Sequence, residues 1–426
     1  MVGAEPGSPA GPDGSRDGLR PAGAGRVARR PRGRSGRRAV ALAATRRPDR
    51  RHLRSLVRAG GTGGDRLLRS ADREVDRMMT LHGGDLAVAR ARWGEPPGGF
   101  CDFSANINPL GPPAGAVAAA QAALAGIAHY PEPFARRLRA ALARRHQVDE
   151  SMVLVGNGAA EVLYLLLRLA SGFRVALPEP GFAEYARAAR AAGAELLPVA
   201  HDRTDPPPQL GRGDWWIICN PHNPTGHLFT PEQLLRAAER TEATLLIDEA
   251  FIDLTAAGEA GSVIARVPHR CNLVVVRSLT KFFALPGLRV GYAVAPRWMV
   301  AELDAARDPW SVNSLAQAAA LAALSDEAYA ARTRHWVAVE RAYLAEQLAS
   351  LPGFIVYPPS ANFVLVRAPL PAHEIQRRLG PRGVLIRDCR SFAGLTEHHM
   401  RLAVRTRPEN RRLIALLRSI LEEEAP

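Results

Sequence analysis

Apolar residues follow no sustained period before about residue 52, whereas from residue 81 onward short apolar runs alternate with stretches of helical spacing. Helices are predicted at 116–124 and 134–145. Strand 152–155, helix 161–170, strand 174–177 and helix 182–192 then follow in turn. Further strands are predicted at 195–199, 215–219, 244–247, 272–276 and 290–294. Seven strands interleaved with helices argue for an α/β fold built on a mostly parallel, doubly wound sheet. Long helices come next, at 314–324 and 328–351. Strands at 354–357, 362–366 and 384–386 and a last helix near 408–423 predict a second, smaller α+β domain. The expected organisation is an N-terminal segment 78–112 joining the small domain, a large domain over 113–324 and a small domain over 325–426.

Composition removes several classes. With 426 residues, 47% of them hydrophobic, the chain can bury one or two substantial cores, and no apolar run approaches the roughly 20 residues of a membrane helix. Cys101, Cys219, Cys271 and Cys389 have no metal-ligand or redox-motif spacing. That suits a reduced, cytoplasmic protein without a zinc site or disulfide framework. The net charge of +14 is unevenly spread: residues 1–80 hold 19 arginines and 8 acids, so the remaining 346 residues carry only about +3. Nucleic-acid binding would have to rest on that end alone. Residues 1–77, rich in Gly, Pro, Ala and Arg, read as a disordered basic tail or as sequence upstream of a start near Met78 and Met79. An Arg-rich organelle leader and a nonspecific polyanion-binding tail are the alternatives. Residues 39–44 are too short an apolar stretch for a secretory signal.

The basic residues show a second asymmetry: 55 arginines and a single lysine, Lys281. Arginine replaces lysine wherever only charge is needed, but it does not give up its proton. A lysine amine does, and it condenses with aldehydes. Four segments supply what an aldehyde cofactor with a pyridine ring and a phosphate requires. Asp248 follows an apolar strand, where a carboxylate can keep a pyridine nitrogen protonated. Asn223, in Asn220-Pro221-His222-Asn223-Pro224-Thr225-Gly226, also follows a strand and can donate to a ring oxygen. The turn Gly156-Asn157-Gly158-Ala159 opens a helix whose backbone N–H groups suit a phosphate. Ser278 and Arg289 flank Lys281 and can complete that phosphate cup.

With these motifs, and with Pro286-Gly287-Leu288-Arg289-Val290-Gly291-Tyr292, residues 82–418 resemble the fold-type I pyridoxal-phosphate enzymes, specifically the histidinol-phosphate aminotransferase branch. The resemblance implies that Lys281 carries pyridoxal 5'-phosphate as a Schiff base. It implies that Gly158, Ala159, Asn223, Asp248, Ser278 and Arg289 bind the cofactor and that Phe182 stacks on its ring. It also implies a homodimer with shared active sites, in which Tyr130 reaches the cofactor phosphate of the partner subunit.

Within that branch, His82-Gly83-Gly84-Asp85 and the segment Asp102 to Pro112 are similar to the threonine-phosphate decarboxylases of cobalamin biosynthesis. These convert L-threonine O-3-phosphate to (R)-1-amino-2-propanol O-2-phosphate and carbon dioxide. Phe251 fits, because many aminotransferases have a tyrosine three residues after the ring-nitrogen aspartate. So does Met400-Arg401-Leu402-Ala403-Val404-Arg405. The resemblance implies substrate contacts from His82, Gly83, Asn106, Asn223, Arg387 and Arg401. Arg387 is the expected phosphate ligand, and Arg401 a clamp for carboxylate or phosphate. The rival within the branch is an aminotransferase acting on histidinol phosphate or an aromatic amino acid. A DNA-binding regulator with a related effector domain is disfavoured, since residues 1–77 show no pair of amphipathic helices joined by a short turn.

Overall fold

The structure, a computed structural model, describes residues 83–423, so His82 and the basic tail lie outside the described residues. A short strand β1 (Cys101–Asp102) precedes β2 (Val153–Gly156), β3 (Arg174–Glu179), β4 (Glu195–Ala200), β5 (Trp215–Cys219), β6 (Thr244–Asp248), β7 (Leu273–Ser278) and β8 (Gly291–Val294). The last seven form one sheet in the spatial order β2-β8-β7-β6-β5-β3-β4. Only the two pairings made by β8 are antiparallel. The mostly parallel seven-stranded sheet read from the apolar runs is therefore present.

The runs are apolar at consecutive positions because helices cover both faces of the sheet. On β5, Trp215, Ile217 and Cys219 point into one core with Leu246 and Val276, while Trp216 and Ile218 point into the other with Leu245, Ile247 and Val275. The first core is closed by helices Ala159–Leu167, Ala183–Ala191 and Arg297–Ala306, the second by Arg136–His146, Pro231–Glu239 and Ser314–Leu324.

Several boundaries differ from expectation. The helix expected from residue 134 begins at Arg136, because Phe134 and Ala135 adopt left-handed φ values of 56° and 47°. Helices Leu86–Trp93, Pro231–Glu239, Arg297–Ala306 and Ala372–Leu379 had not been anticipated. Each is short, and its apolar stripe spans little more than two turns.

The C-terminal part adds β9 (Ile355–Val356), β10 (Phe363–Arg367), β11 (Val384–Leu385), β12 (Arg387–Asp388) and β13 (His399–Ala403). Four of them form an antiparallel sheet ordered β12-β13-β10-β9, while β11 pairs in parallel with β1. The N-terminal segment is thereby stitched into this part: Phe103 N–H donates to Leu385 O at 2.8 Å, and Ala403 N–H to Phe103 O at 2.8 Å. Phe103, Val364, Val366, Leu402 and Val404 share one core with the long helix Glu327–Ala349 and the last helix Arg407–Glu422. All four cysteines are free thiols, and no helix among the described residues is long and apolar enough to cross a membrane.

Candidate active site

Because β8 alone is reversed, the carboxyl ends of β2, β3, β5, β6 and β7 lie on one edge of the sheet. Ligand sites of such sheets form beyond that edge. Here the segments leaving it enclose a cavity with Gly83, residues 104–106 and the β12–β13 pair.

Lys281 lies three residues past β7, in the short helix Leu279–Phe282 capped by Ser278. Its carbonyl accepts from Asn108 N–H at 3.1 Å, and its side chain lines the cavity. Burial, together with the Arg401 and Arg289 cations, lowers its amine from 10.5 to about 8. Charging the amine is thus disfavoured twice, by desolvation and by like charge. Capture of an aldehyde needs the free amine. The rate of loading the apoprotein with such a cofactor should therefore rise with pH around a midpoint near 8, read by stopped-flow absorbance. A midpoint near the ordinary lysine value would show that these neighbours do not act on the amine.

Asp248 ends β6 and is buried. Its Oδ2 accepts from the Tyr185 hydroxyl at 2.6 Å and its Oδ1 from Ala250 N–H at 3.0 Å. Burial pushes the carboxyl up, and these two hydrogen bonds pull it back toward the charged form. Asn223 sits on the loop after β5. Asn220 closes that loop by donating to Phe229 O at 3.2 Å and accepting from Phe229 N–H at 2.8 Å. Phe182 caps the helix Ala183–Ala191, lines the cavity, and meets Tyr185 edge-on at 5.6 Å.

Gly158 and Ala159 form the turn after β2. Gly158 has φ +90°, and a Cβ there would stand 2.6 Å from Arg289 Nη2, so the guanidinium packs directly on the bare turn. Ala159, Ser278 and Arg289 face the cavity, with Gly158 just behind. Gly158→Ala should strain the turn and displace Arg289, weakening binding of a phosphate-bearing cofactor by at least ~10-fold in a fluorescence titration. Unchanged affinity would remove the turn from the phosphate cup.

Across the cavity, Arg387 and Arg401 are direct cross-strand partners on β12 and β13, and both are buried. Arg401 Nη1 donates to Asn223 Oδ1, and its Nη2 to Ser104 O at 2.8 Å. Arg387 Nη2 donates to Ser391 Oγ at 3.1 Å, with its guanidinium over the Phe392 ring. Burial lowers both guanidinium pKa values, that of Arg401 to about 10. Asn106 is 3% exposed, yet neither its Nδ2 nor its Oδ1 has a hydrogen-bond partner among the described residues. A buried amide left unsatisfied costs about 1–3 kcal/mol, and this one borders the cavity. Gly83 is pressed against the Ser104 carbonyl, where a Cβ would come within 2.1 Å.

The description "Aminotransferase class I and II" belongs to the family model that matches residues 99–417. The chain belongs to this family. It is 38% identical over 362 residues to a threonine-phosphate decarboxylase of Salmonella typhimurium, covering 82% of this chain and 98% of the relative. It is 41% identical over 329 residues to a histidinol-phosphate aminotransferase of Symbiobacterium thermophilum, covering 75% and 90%. The crystal structure of L-threonine-O-3-phosphate decarboxylase from Porphyromonas gingivalis superimposes with a TM-score of 0.68 at 31% identity, covering 75% of this chain and 99% of that one.

Class I and II aminotransferase-family enzymes depend on pyridoxal 5'-phosphate. The residues present fit it: an amine at Lys281, a buried carboxylate at Asp248, and a Cβ-free turn under Arg289 for the phosphate. Of the site residues expected from sequence, Gly83, Asn106, Ala159, Phe182, Asn223, Asp248, Ser278, Lys281, Arg289, Arg387 and Arg401 line one cavity. Tyr130 does not; the residue is 81% exposed and its ring rests on Trp310 at 5.0 Å. His82 lies outside the described residues. Sequence reasoning passed over Tyr185, which holds Asp248, and Ser391 and Phe392, which flank Arg387. For Tyr185 the signal was a tyrosine in an alanine-rich helix three residues after Phe182.

Proposed function

We propose that this enzyme decarboxylates L-threonine O-3-phosphate to (R)-1-amino-2-propanol O-2-phosphate, as a cytoplasmic homodimer serving cobalamin biosynthesis. The observation that carries the reading is the facing pair of buried arginines. Arg387 and Arg401 stand directly opposite each other on β12 and β13. Two buried guanidinium groups so placed make this wall of the cavity electropositive, and an anion bound there is drawn to both. A substrate with both a carboxylate and a phosphate supplies that charge, and the unpaired Asn106 amide offers it one more donor. The Salmonella relative, matched over nearly its whole length, supports the same choice. So does Phe251, whose buried ring packs edge-on against Phe363 at 5.2 Å and puts no hydroxyl three residues after Asp248.

Pyridoxal 5'-phosphate, when bound, supplies an electron sink for the pair left by a bond breaking at the substrate Cα. The chain decides which bond that is. Whichever bond stands perpendicular to the ring overlaps its π system, so the anchoring of the carboxylate and the distal phosphate by Arg387, Arg401 and Asn106 selects it. The Lys281 amine would hold the cofactor and would serve as the proton carrier for the substrate Cα. Asp248, whose hydrogen bonds from Tyr185 and Ala250 N–H favour its charged form against burial, would hold the proton on the ring nitrogen. Gly158, Ala159, Ser278 and Arg289 would receive the cofactor phosphate. Phe182 would cover the ring, and Asn223 would donate to its oxygen. Tyr130, exposed and packed on Trp310, would complete the phosphate cup of the partner subunit.

Aminotransfer from histidinol phosphate is the second reading, favoured by the Symbiobacterium relative. One incubation separates the two. The protein is supplied with pyridoxal phosphate and L-threonine O-3-phosphate, without keto acid, and carbon dioxide is followed. Stoichiometric carbon dioxide and aminopropanol phosphate are the expected products. Activity only with histidinol phosphate and 2-oxoglutarate would overturn the decarboxylase.

A further inference from the structure

We infer that Arg277 and Glu249 are positioning residues that fix the spacing of the two strand ends bearing Asp248 and the Ser278–Lys281 turn, a role that rests on the cofactor contacts proposed above for Asp248 and Lys281. Side chains alternate along a strand. Asp248 and Ser278, at the ends of adjacent strands β6 and β7, line the cavity. Their chain neighbours Glu249 and Arg277 are buried beneath it. Glu249 N–H donates to Val276 O at 2.8 Å, the last rung between the two strands. Just past that rung, Arg277 Nε donates to Glu249 Oε2 at 2.9 Å, with both side chains at most 2% exposed.

The pair is held from every side. Arg277 Nη1 donates to Asp253 Oδ2 at 3.0 Å and Nη2 to Glu259 Oε2 at 3.0 Å. Glu249 Oε1 accepts from Val263 N–H at 3.0 Å, and Oε2 also accepts from the Ser262 hydroxyl. Glu259 meets His146 Nδ1 at 2.9 Å, and His146 Nε2 meets the Tyr292 hydroxyl at 2.7 Å. Tyr292 in turn is the cross-strand partner of Arg277 on β8. A buried ion network is a poor source of stability, since well-packed apolar residues do as well. What apolar residues lack is direction. A planar guanidinium gripped at three corners fixes both distance and angle between the elements it joins. Here it joins the residue after Asp248 to the residue before Ser278. Misplacement of reacting groups by about 1 Å costs on the order of 100-fold in rate.

The test compares Glu249→Gln and Arg277→Lys with Asp253→Asn, all in the cofactor-loaded full chain. Asp253 touches the same guanidinium but is adjacent in sequence to neither cofactor-facing residue. Glu249→Gln and Arg277→Lys should lower turnover ~10- to 100-fold with KM changed less than about threefold. Both should also move the pH midpoint of the bound cofactor's visible absorbance by ~0.5 or more, because the amine and the carboxylate no longer keep their spacing. Asp253→Asn should leave turnover within about twofold of wild type and the midpoint unmoved. Glu249→Gln keeps the side-chain shape and an acceptor for Arg277, so it decides the matter if Arg277→Lys does not fold. An unmoved midpoint and turnover in Glu249→Gln, or the same losses in Asp253→Asn, would overturn the role. A wild-type band that persists in Lys281→Arg would instead overturn the cofactor contacts on which it rests.

Discussion

Lys281→Arg should abolish turnover, by ~10⁴-fold or more, and remove the visible absorbance of the bound cofactor, while the protein stays folded. The arginine keeps a positive charge and similar reach, but its guanidinium does not deprotonate and cannot condense with an aldehyde. The amine it replaces is held near 8 by burial and by Arg401 and Arg289, so a free-amine fraction exists at neutral pH. The fold does not depend on that amine: the local backbone is tied down through the Lys281 carbonyl to Asn108 N–H and through the Ser278 cap. Far-UV circular dichroism and the melting temperature should thus stay close to wild type. As Lys281 is the sole lysine, borohydride reduction of the loaded wild type should add one cofactor, less the water lost on condensation and plus two hydrogens, to the intact chain and none to the variant. Residual carbon dioxide release or amino transfer by Lys281→Arg would remove the covalent role.

Arg401→Met should reduce kcat/KM for the phosphorylated amino acid on the order of 10³-fold, equivalent to about 4 kcal/mol. The buried guanidinium ties Asn223 Oδ1 to Ser104 O and faces Arg387, so its loss removes a charge from the substrate wall and leaves two acceptors without their donor. A second readout has a defined sign. Arg401 is one of the cations holding the Lys281 amine down, so removing it makes protonation easier and moves the loading midpoint up from about 8. The same midpoint in Arg401→Met, or an unchanged kcat/KM, would place this arginine outside the site.

Much of this was legible in the chain, and the reasons are physical. All seven sheet strands were found because strands buried on both faces are written as apolar runs, as in Trp215–Cys219. The residues proposed to face the cofactor follow those runs directly, so placing the strands also placed Asn223, Asp248 and Lys281. The arginine pair proposed to meet the substrate was harder. Arg387–Asp388 is a strand only because it pairs with β13, and nothing in two charged residues announces it. Arg387 and Arg401 were found by resemblance, not by pattern. Tyr185 went unnoticed because its partner Asp248 lies 63 residues away in sequence. The helix Pro231–Glu239 was missed although its signal was present, since Thr230 and Gln233 form a capping box around Pro231 in the first turn.

The parallel pairing of β1 with β11 has a consequence for the order in which the enzyme comes into being. Every group assigned to the cofactor lies between Tyr130 and Arg289, within the portion that emerges first from the ribosome. Ser104 and Asn106 also emerge early, but the strand that precedes them has no partner until residues 384–385 are made, and Arg387 and Arg401 come later still. Contacts so far apart in sequence close last, because the loop between them must be ordered first. A nascent chain would thus complete the residues proposed for the cofactor before those proposed for the substrate.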